Sequence, residues 1–80
     1  MRIVIDASPE RLTSIVYYDG IGNQIYPPKQ LKNEELLDFI KSVSDEHDIV
    51  EIVITGPHNY TQKILDNLKI NFKTVNFTLA

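Results

Sequence analysis

Cysteine is absent from this 80-residue chain, and so is tryptophan. Without thiols there are no disulfide staples, no thiolate zinc site and no cysteine nucleophile. A small secreted domain without disulfides is unusual, so the expected compartment is the cytoplasm. Only three glycines and four prolines occur, too few for a collagen-like or low-complexity chain. No apolar run approaches the ~18 residues of a membrane span, and Met1-Arg2 leads into a strand-like run rather than a signal peptide. Bases are outnumbered, eight Lys and Arg against eleven Asp and Glu, for a net charge of −3. That argues against a general nucleic-acid binder, whose footprint is basic. No Ser-His-Asp or glycine-rich phosphate-loop spacing appears anywhere.

What remains is an ordinary globular balance, 42% apolar and 24% charged, enough for one domain. A domain of this size buries only about 60% of its surface and is marginally stable. Charge is unevenly spread. Residues 1–32 carry Arg2, Arg11, Lys29 and Lys32 against Asp6, Glu10 and Asp19. Residues 33–58 carry seven acids against Lys41 alone, and residues 59–80 return to a balance of +2. The acidic stretch reads as a solvated helix face; the alternative is a docking surface for a basic partner.

Arg2-Ile3-Val4-Ile5 is a β-branched run that predicts a strand over 2–7. Thr13-Ser14-Ile15-Val16-Tyr17-Tyr18 predicts a second. Asp19-Gly20-Ile21-Gly22-Asn23 has the chemistry of a hairpin turn, returning a short third strand around Gln24-Ile25-Tyr26 that Pro27-Pro28 stops. Asn33 is an expected N-cap, followed by a helix near 34–46 with Leu36, Phe39, Ile40 and Val43 on one face. Ile49-Val50-Glu51-Ile52-Val53-Ile54 is nearly apolar throughout, like a strand buried on both faces, and Gly56-Pro57 ends it. Asn59 and Gln62 form a capping-box pattern for a second helix, roughly 60–69. Residues 73–79 alternate as an edge strand with Val75, Phe77 and Leu79 inward. The order β-β-β-α-β-α-β, with two right-handed crossovers, predicts a mixed five-stranded sheet of order 3-2-1-4-5.

That order is the core of the ribonuclease H-like fold, shared by sugar-kinase, chaperone and actin-type ATPase lobes. Ile5-Asp6-Ala7-Ser8, followed by Thr13-Ser14-Ile15-Val16-Tyr17-Tyr18-Asp19-Gly20, resembles the "I-D-T-S … s-v-a-l-y-d-d-G" opening of TsaB-type proteins of the tRNA threonylcarbamoyl-adenosine machinery. RuvC- and YqgF-type nucleases open similarly. Gly56-Pro57-His58-Asn59-Tyr60-Thr61-Gln62-Lys63-Ile64 resembles the TsaB-type "G-P-G-S-F-T-G-L-R-I" segment. The resemblance implies a single ribonuclease H-like lobe. It departs from those families in three ways: one lobe replaces two, His58-Asn59 and Gln62-Lys63 replace small residues, and Ile54-Thr55-Gly56 stands where a nuclease places its second carboxylate. Asp6 alone cannot organise two metal ions.

The candidate ligand-binding residues are Asp6, Ser8, Thr55, Gly56, His58 and Asn59, at strand ends and a helix start where backbone amides favour anions. Each has a structural alternative: Asp6 as an Asx-type turn residue before Pro9, Thr55-Gly56 as a turn, His58 as a loop histidine beside a cap. His47 among Asp45, Glu46 and Asp48 reads as solvated, with a stray divalent ion as the alternative. Tyr17, Tyr18, Tyr26 and Tyr60 lack the interleaved bases of a nucleic-acid platform. The expectation is a non-catalytic α/β module without cofactor or resident metal, of the kind a phage or mobile element carries, that binds a protein partner. The leading form is a homodimer through the sheet face opposite the helices, with Val4, Tyr17, Tyr18, Ile49 and Val53 as interface residues. Two alternatives are a degenerate nuclease or ATPase subunit completed on assembly, and a small-ligand or phosphate binder through Asp6, Ser8 and the 55–59 loop.

Overall fold

A computed structural model describes every residue of the chain except Arg11. The elements are β1 (Arg2–Asp6), β2 (Thr13–Tyr18), β3 (Lys29–Leu31), a 3-10 turn (Asn33–Glu35), α1 (Leu36–Glu46), β4 (Glu51–Thr55), α2 (His58–Asn71) and β5 (Asn76–Leu79). They build a five-stranded sheet of order β3-β2-β1-β4-β5, the predicted arrangement. β1 pairs antiparallel with β2 and parallel with β4. The sheet therefore changes from antiparallel to parallel pairing at its central strand, β1.

Alternation decides which face is covered. Ile3 stands level with Tyr17 and Ile52, and Ile5 with Ile15 and Ile54, all buried on one face. Leu36 and Ile40 of α1 and Leu68 of α2 close over the same residues, with Phe77 and Leu79 packed at the margin. Both helices thus share one side, as two right-handed crossovers require. Burying six isoleucine side chains of the sheet and α1 at 0% exposure (Ile3, Ile5, Ile15, Ile40, Ile52, Ile54) contributes roughly 2 kcal/mol each before entropy is counted.

Three expectations change. The third strand is β3, beyond Pro27-Pro28, rather than around residues 24–26. The predicted turn does form: the Asp19 carboxylate accepts from Ile21 N–H at 3.0 Å and Asn23 N–H at 2.9 Å, and Gly22 takes φ +92°. Pairing starts at Tyr18–Gln24 but lapses through the donor-less prolines and resumes at Ile15–Lys29. Asn33 does not cap α1. The Glu35 carboxylate accepts from Lys32 N–H at 3.0 Å, while the Asn33 side chain is committed elsewhere. α2 begins at His58 after Pro57, whose φ of −60° suits a helix start. Gln62 donates to Asp66 at 2.9 Å rather than completing a box with Asn59.

Tyr17 and Ile49, both expected at the open-face interface, are core residues. Tyr17 shares the Ile3 row and is 5% exposed. Ile49 precedes β4, which begins only at Glu51, so strand alternation does not reach it; it turns inward to 6% exposure while Val50 stays out at 52%.

Candidate functional site

Two surfaces gather the candidate residues, one at the carboxyl ends of β1 and β4 and one on the uncovered face of the sheet. At the strand ends, Ala7 N–H donates to Thr55 O at 2.8 Å, extending the β1–β4 pairing past Asp6. The Thr55 hydroxyl donates to the Asp6 carboxylate at 3.3 Å. Gly56 then turns away at φ +139°, and a Cβ there would lie 2.6 Å from Ala7 O. Glycine is required because the two strand ends come this close.

A polar cleft of about 720 Å³ opens beside them, lined by Asp6, Ser8, Glu10, Ser14, Gly56 and Pro57 among others. The fold therefore brings Asp6, Ser8 and Gly56 together with Thr55 bonded behind them. His58 and Asn59 are exposed on the first turn of α2 and do not line the cleft. Its two titratable lining residues, among those described, are the carboxylic acids Asp6 and Glu10.

On the uncovered face the pleat arranges three rows across the sheet. Val16, Val4 and Val53 stand level in the middle, continued by Thr78 on β5. On one side lie Tyr18, Arg2, Glu51 and Asn76; on the other, Gln30, Ser14, Asp6 and Thr55. The three valines are half-buried by their neighbours. Arg2 approaches Glu51 at 3.7 Å, and its guanidinium lies 5.5 Å from the centre of the Tyr18 ring. Of the five expected interface residues, Val4, Tyr18 and Val53 are on this face.

Aromatic residues gather elsewhere. Tyr26 meets Tyr17 edge-on at 5.6 Å, and its hydroxyl lies 3.2 Å from His47 Nε2. Lys29 Nζ stands 5.0 Å from the Phe39 ring centre. A cleft of about 350 Å³ lies between this arm and α1. Burial, and then the nearby Tyr26 phenol, push the Tyr17 hydroxyl above the ordinary tyrosine range. The cluster anchors the 24–29 arm, a role no short-range pattern announces, because Tyr26 and His47 are distant in sequence. Among the described residues, no three His, Asp or Glu side chains converge as a metal site would require. Nor is any helix long and apolar enough to cross a membrane. Glu34, Glu35, Asp38, Asp45, Glu46 and Asp48 all face solvent.

The class defined by these elements is a mixed α/β domain with one covered and one uncovered sheet face. No protein family, curated protein or solved structure matches the chain.

Proposed function

We propose that this chain is a non-catalytic α/β module that docks a protein on the uncovered face of its sheet. The observation that carries this reading is the Val16–Val4–Val53 row on a five-stranded sheet with both helices on the other side. A strip of β-branched side chains flanked by polar and charged rows has the composition of a small interface with an apolar centre and polar rim. The strand order supports a ribonuclease H-like ancestry for the module, with its catalytic end degenerate. Thr55 occupies the end of β4 where a second metal-binding carboxylate would be needed beside Asp6. The absence of cysteine supports a cytoplasmic setting.

The test is affinity capture from cells of the source organism with tagged wild-type protein, a Val4→Lys/Val53→Lys variant, and an Asp38→Lys/Asp45→Lys variant of the acidic helix face. A protein retained by the wild type and the helix variant, but lost by the sheet variant, is the expected result. Retention by the sheet variant with loss by the helix variant would move the docking surface to α1. In parallel, the purified protein should hydrolyse neither DNA, RNA nor ATP with Mg²⁺ or Mn²⁺. Activity abolished by Asp6→Asn would overturn the non-catalytic reading.

A further inference from the structure

The open face has a symmetry that its sequence makes visible once the register is known. On β1 the outward residues are Arg2, Val4 and Asp6. Arg2 and Asp6 therefore lie about 6.6 Å to either side of Val4 along the strand, with opposite charges. A two-fold axis running along the valine row turns this arrangement onto itself, carrying Arg2 to the position of Asp6. Val4, Val16 and Val53 then each meet their own counterpart, apolar on apolar across the whole row. Glu51 meets Thr55, and Tyr18 meets Ser14, neither pair placing like charges together.

The other simple two-fold, parallel to the strands between β1 and β4, sets Arg2 against Glu51. It also sets Val16 against Thr78 and Asp6 against Thr55, so it loses an apolar match and leaves Asp6 unpaired with any base. The axis along the row is the better match.

Resting on the docking reading above, we propose that the occupant of the open face is a second copy of this chain. It lies antiparallel about a two-fold axis along the valine row, with Arg2 of each copy against Asp6 of the other. Stacked sheets lie about 10 Å apart and cross at about 30°. That crossing displaces a point 6.6 Å from the axis by only about 3 Å, within the reach of an arginine side chain. Arg2 is exposed and leans on Glu51 and Tyr18 within its own copy, so it can accept Asp6 of the second copy without leaving them. The five strands, of three to six residues each, give a footprint on the order of 400 Å² per copy, short of the roughly 500 Å² per copy that a stable specific contact clears. The dimer is therefore weak, and its measurement has to extend to roughly 1 mM protein.

Sedimentation equilibrium should show wild-type self-association in that range. Arg2→Asp alone and Asp6→Arg alone should each weaken it at least tenfold, since each sets like charges across the axis. Mixed in equal amounts, the two variants should form a one-to-one heterodimer in native mass spectrometry, because the aspartate placed at position 2 of one copy then meets the arginine placed at position 6 of the other, while the unchanged Asp6 meets the unchanged Arg2 in the second half. Circular dichroism establishes that each variant is folded. Independently of any variant, isotope-filtered NMR on mixed labelled and unlabelled wild-type protein should give contacts from Val4 methyls to Val4 methyls. A wild-type monomer at every concentration would overturn the second-copy proposal, and loss of a captured partner by the Val4→Lys/Val53→Lys variant would still uphold the wider docking surface. Restoration by Arg2→Glu with Glu51→Arg in place of the Arg2/Asp6 mixture would assign the axis parallel to the strands and overturn this geometry.

Discussion

The Thr13 hydroxyl donates to the Asn33 side-chain oxygen, and this bond joins the first residue of β2 to the turn that starts the first helix. Thr13 is 0% exposed. The Asn33 amide in turn donates to Ser8 O at 3.0 Å. One asparagine thus fastens the β1–β2 connection, β2 and the entry to α1. Replacing Asn33 with Ala removes both bonds and should cost roughly 1–3 kcal/mol. In a domain of this size each kcal/mol lowers Tm by about 4–8 °C. Thr13→Val should cost somewhat less. The double variant should cost little more than Asn33→Ala alone, because the two side chains share a bond. Additive losses in thermal melts would show that they act separately.

Asn33 also shows where reading from sequence runs out. Its position before an acidic first turn is the local signature of a cap, but its partners lie 20 and 25 residues away and no local pattern reveals them. The same limit explains Tyr17 and Ile49. Strand parity assigns faces only when the strand's first residue is known, and β4 begins two residues after Ile49. The third strand lies beyond its predicted place because Pro27-Pro28 reads as an end, whereas the chain stays alongside β2 and re-pairs at Lys29. What was legible is what period and connection length dictate: β1, β2, both helices, the inward Phe77 and Leu79, and the order 3-2-1-4-5. Within the candidate site, Asp6, Ser8 and Gly56 converge because β1 and β4 are neighbours, a consequence of that order. His58 and Asn59 fall outside because α2 begins at His58, which places both on its exposed first turn.

Gly56→Ala should destabilise the fold by roughly 1–3 kcal/mol, since φ +139° is strained for any L side chain. The added Cβ would also meet Ala7 O at 2.6 Å and Thr61 Cγ2 at 3.2 Å. Gly20 supplies the control, because nothing lies within 4 Å of a Cβ placed there. Gly20→Ala should stay within about 0.5 kcal/mol of the wild type. Equal effects in urea titrations would contradict the close-approach account of Gly56.

Tyr26 should act as the fastening of the 24–29 arm. Its ring meets Tyr17 at 5.6 Å and His47 at 6.0 Å, and it is itself 43% exposed. Edge-on ring contacts add about 0.5–1.5 kcal/mol each when buried, so Tyr26→Ala should cost roughly 1 kcal/mol overall. The sharper readout is local. Amide hydrogen exchange at Lys29–Leu31 should accelerate more than exchange in β1 or β4. Tyr26→Phe keeps the ring contacts, loses the hydroxyl near His47, and should leave that exchange nearly unchanged. Unaltered exchange in Tyr26→Ala would show that β3 holds the arm without it.

The hairpin turn should carry its own pH dependence through Asp19. Its carboxylate accepts from the amides of Asn23 at 2.9 Å and Ile21 at 3.0 Å. The Asn23 amide is the largest influence and, with those of Ile21 and Gly22, holds the Asp19 pKa below the ordinary aspartate value despite some desolvation. A depressed folded-state pKa means that the unfolded chain binds this proton more readily. The turn's stabilising contribution is therefore complete above the ordinary aspartate value and is lost as pH falls through the lower, folded value. NMR titration should place the Asp19 carboxyl midpoint below that of an unstructured aspartate, with the Ile21 and Asn23 amide shifts following the same midpoint. Asp19→Asn retains an acceptor oxygen and should abolish the pH dependence of those two amides while keeping the turn closed. Asp19→Ala loses both bonds and should loosen the Tyr18–Gln24 pairing at every pH. A midpoint at the ordinary value, with both amides insensitive to it, would show that the carboxylate does not hold the turn.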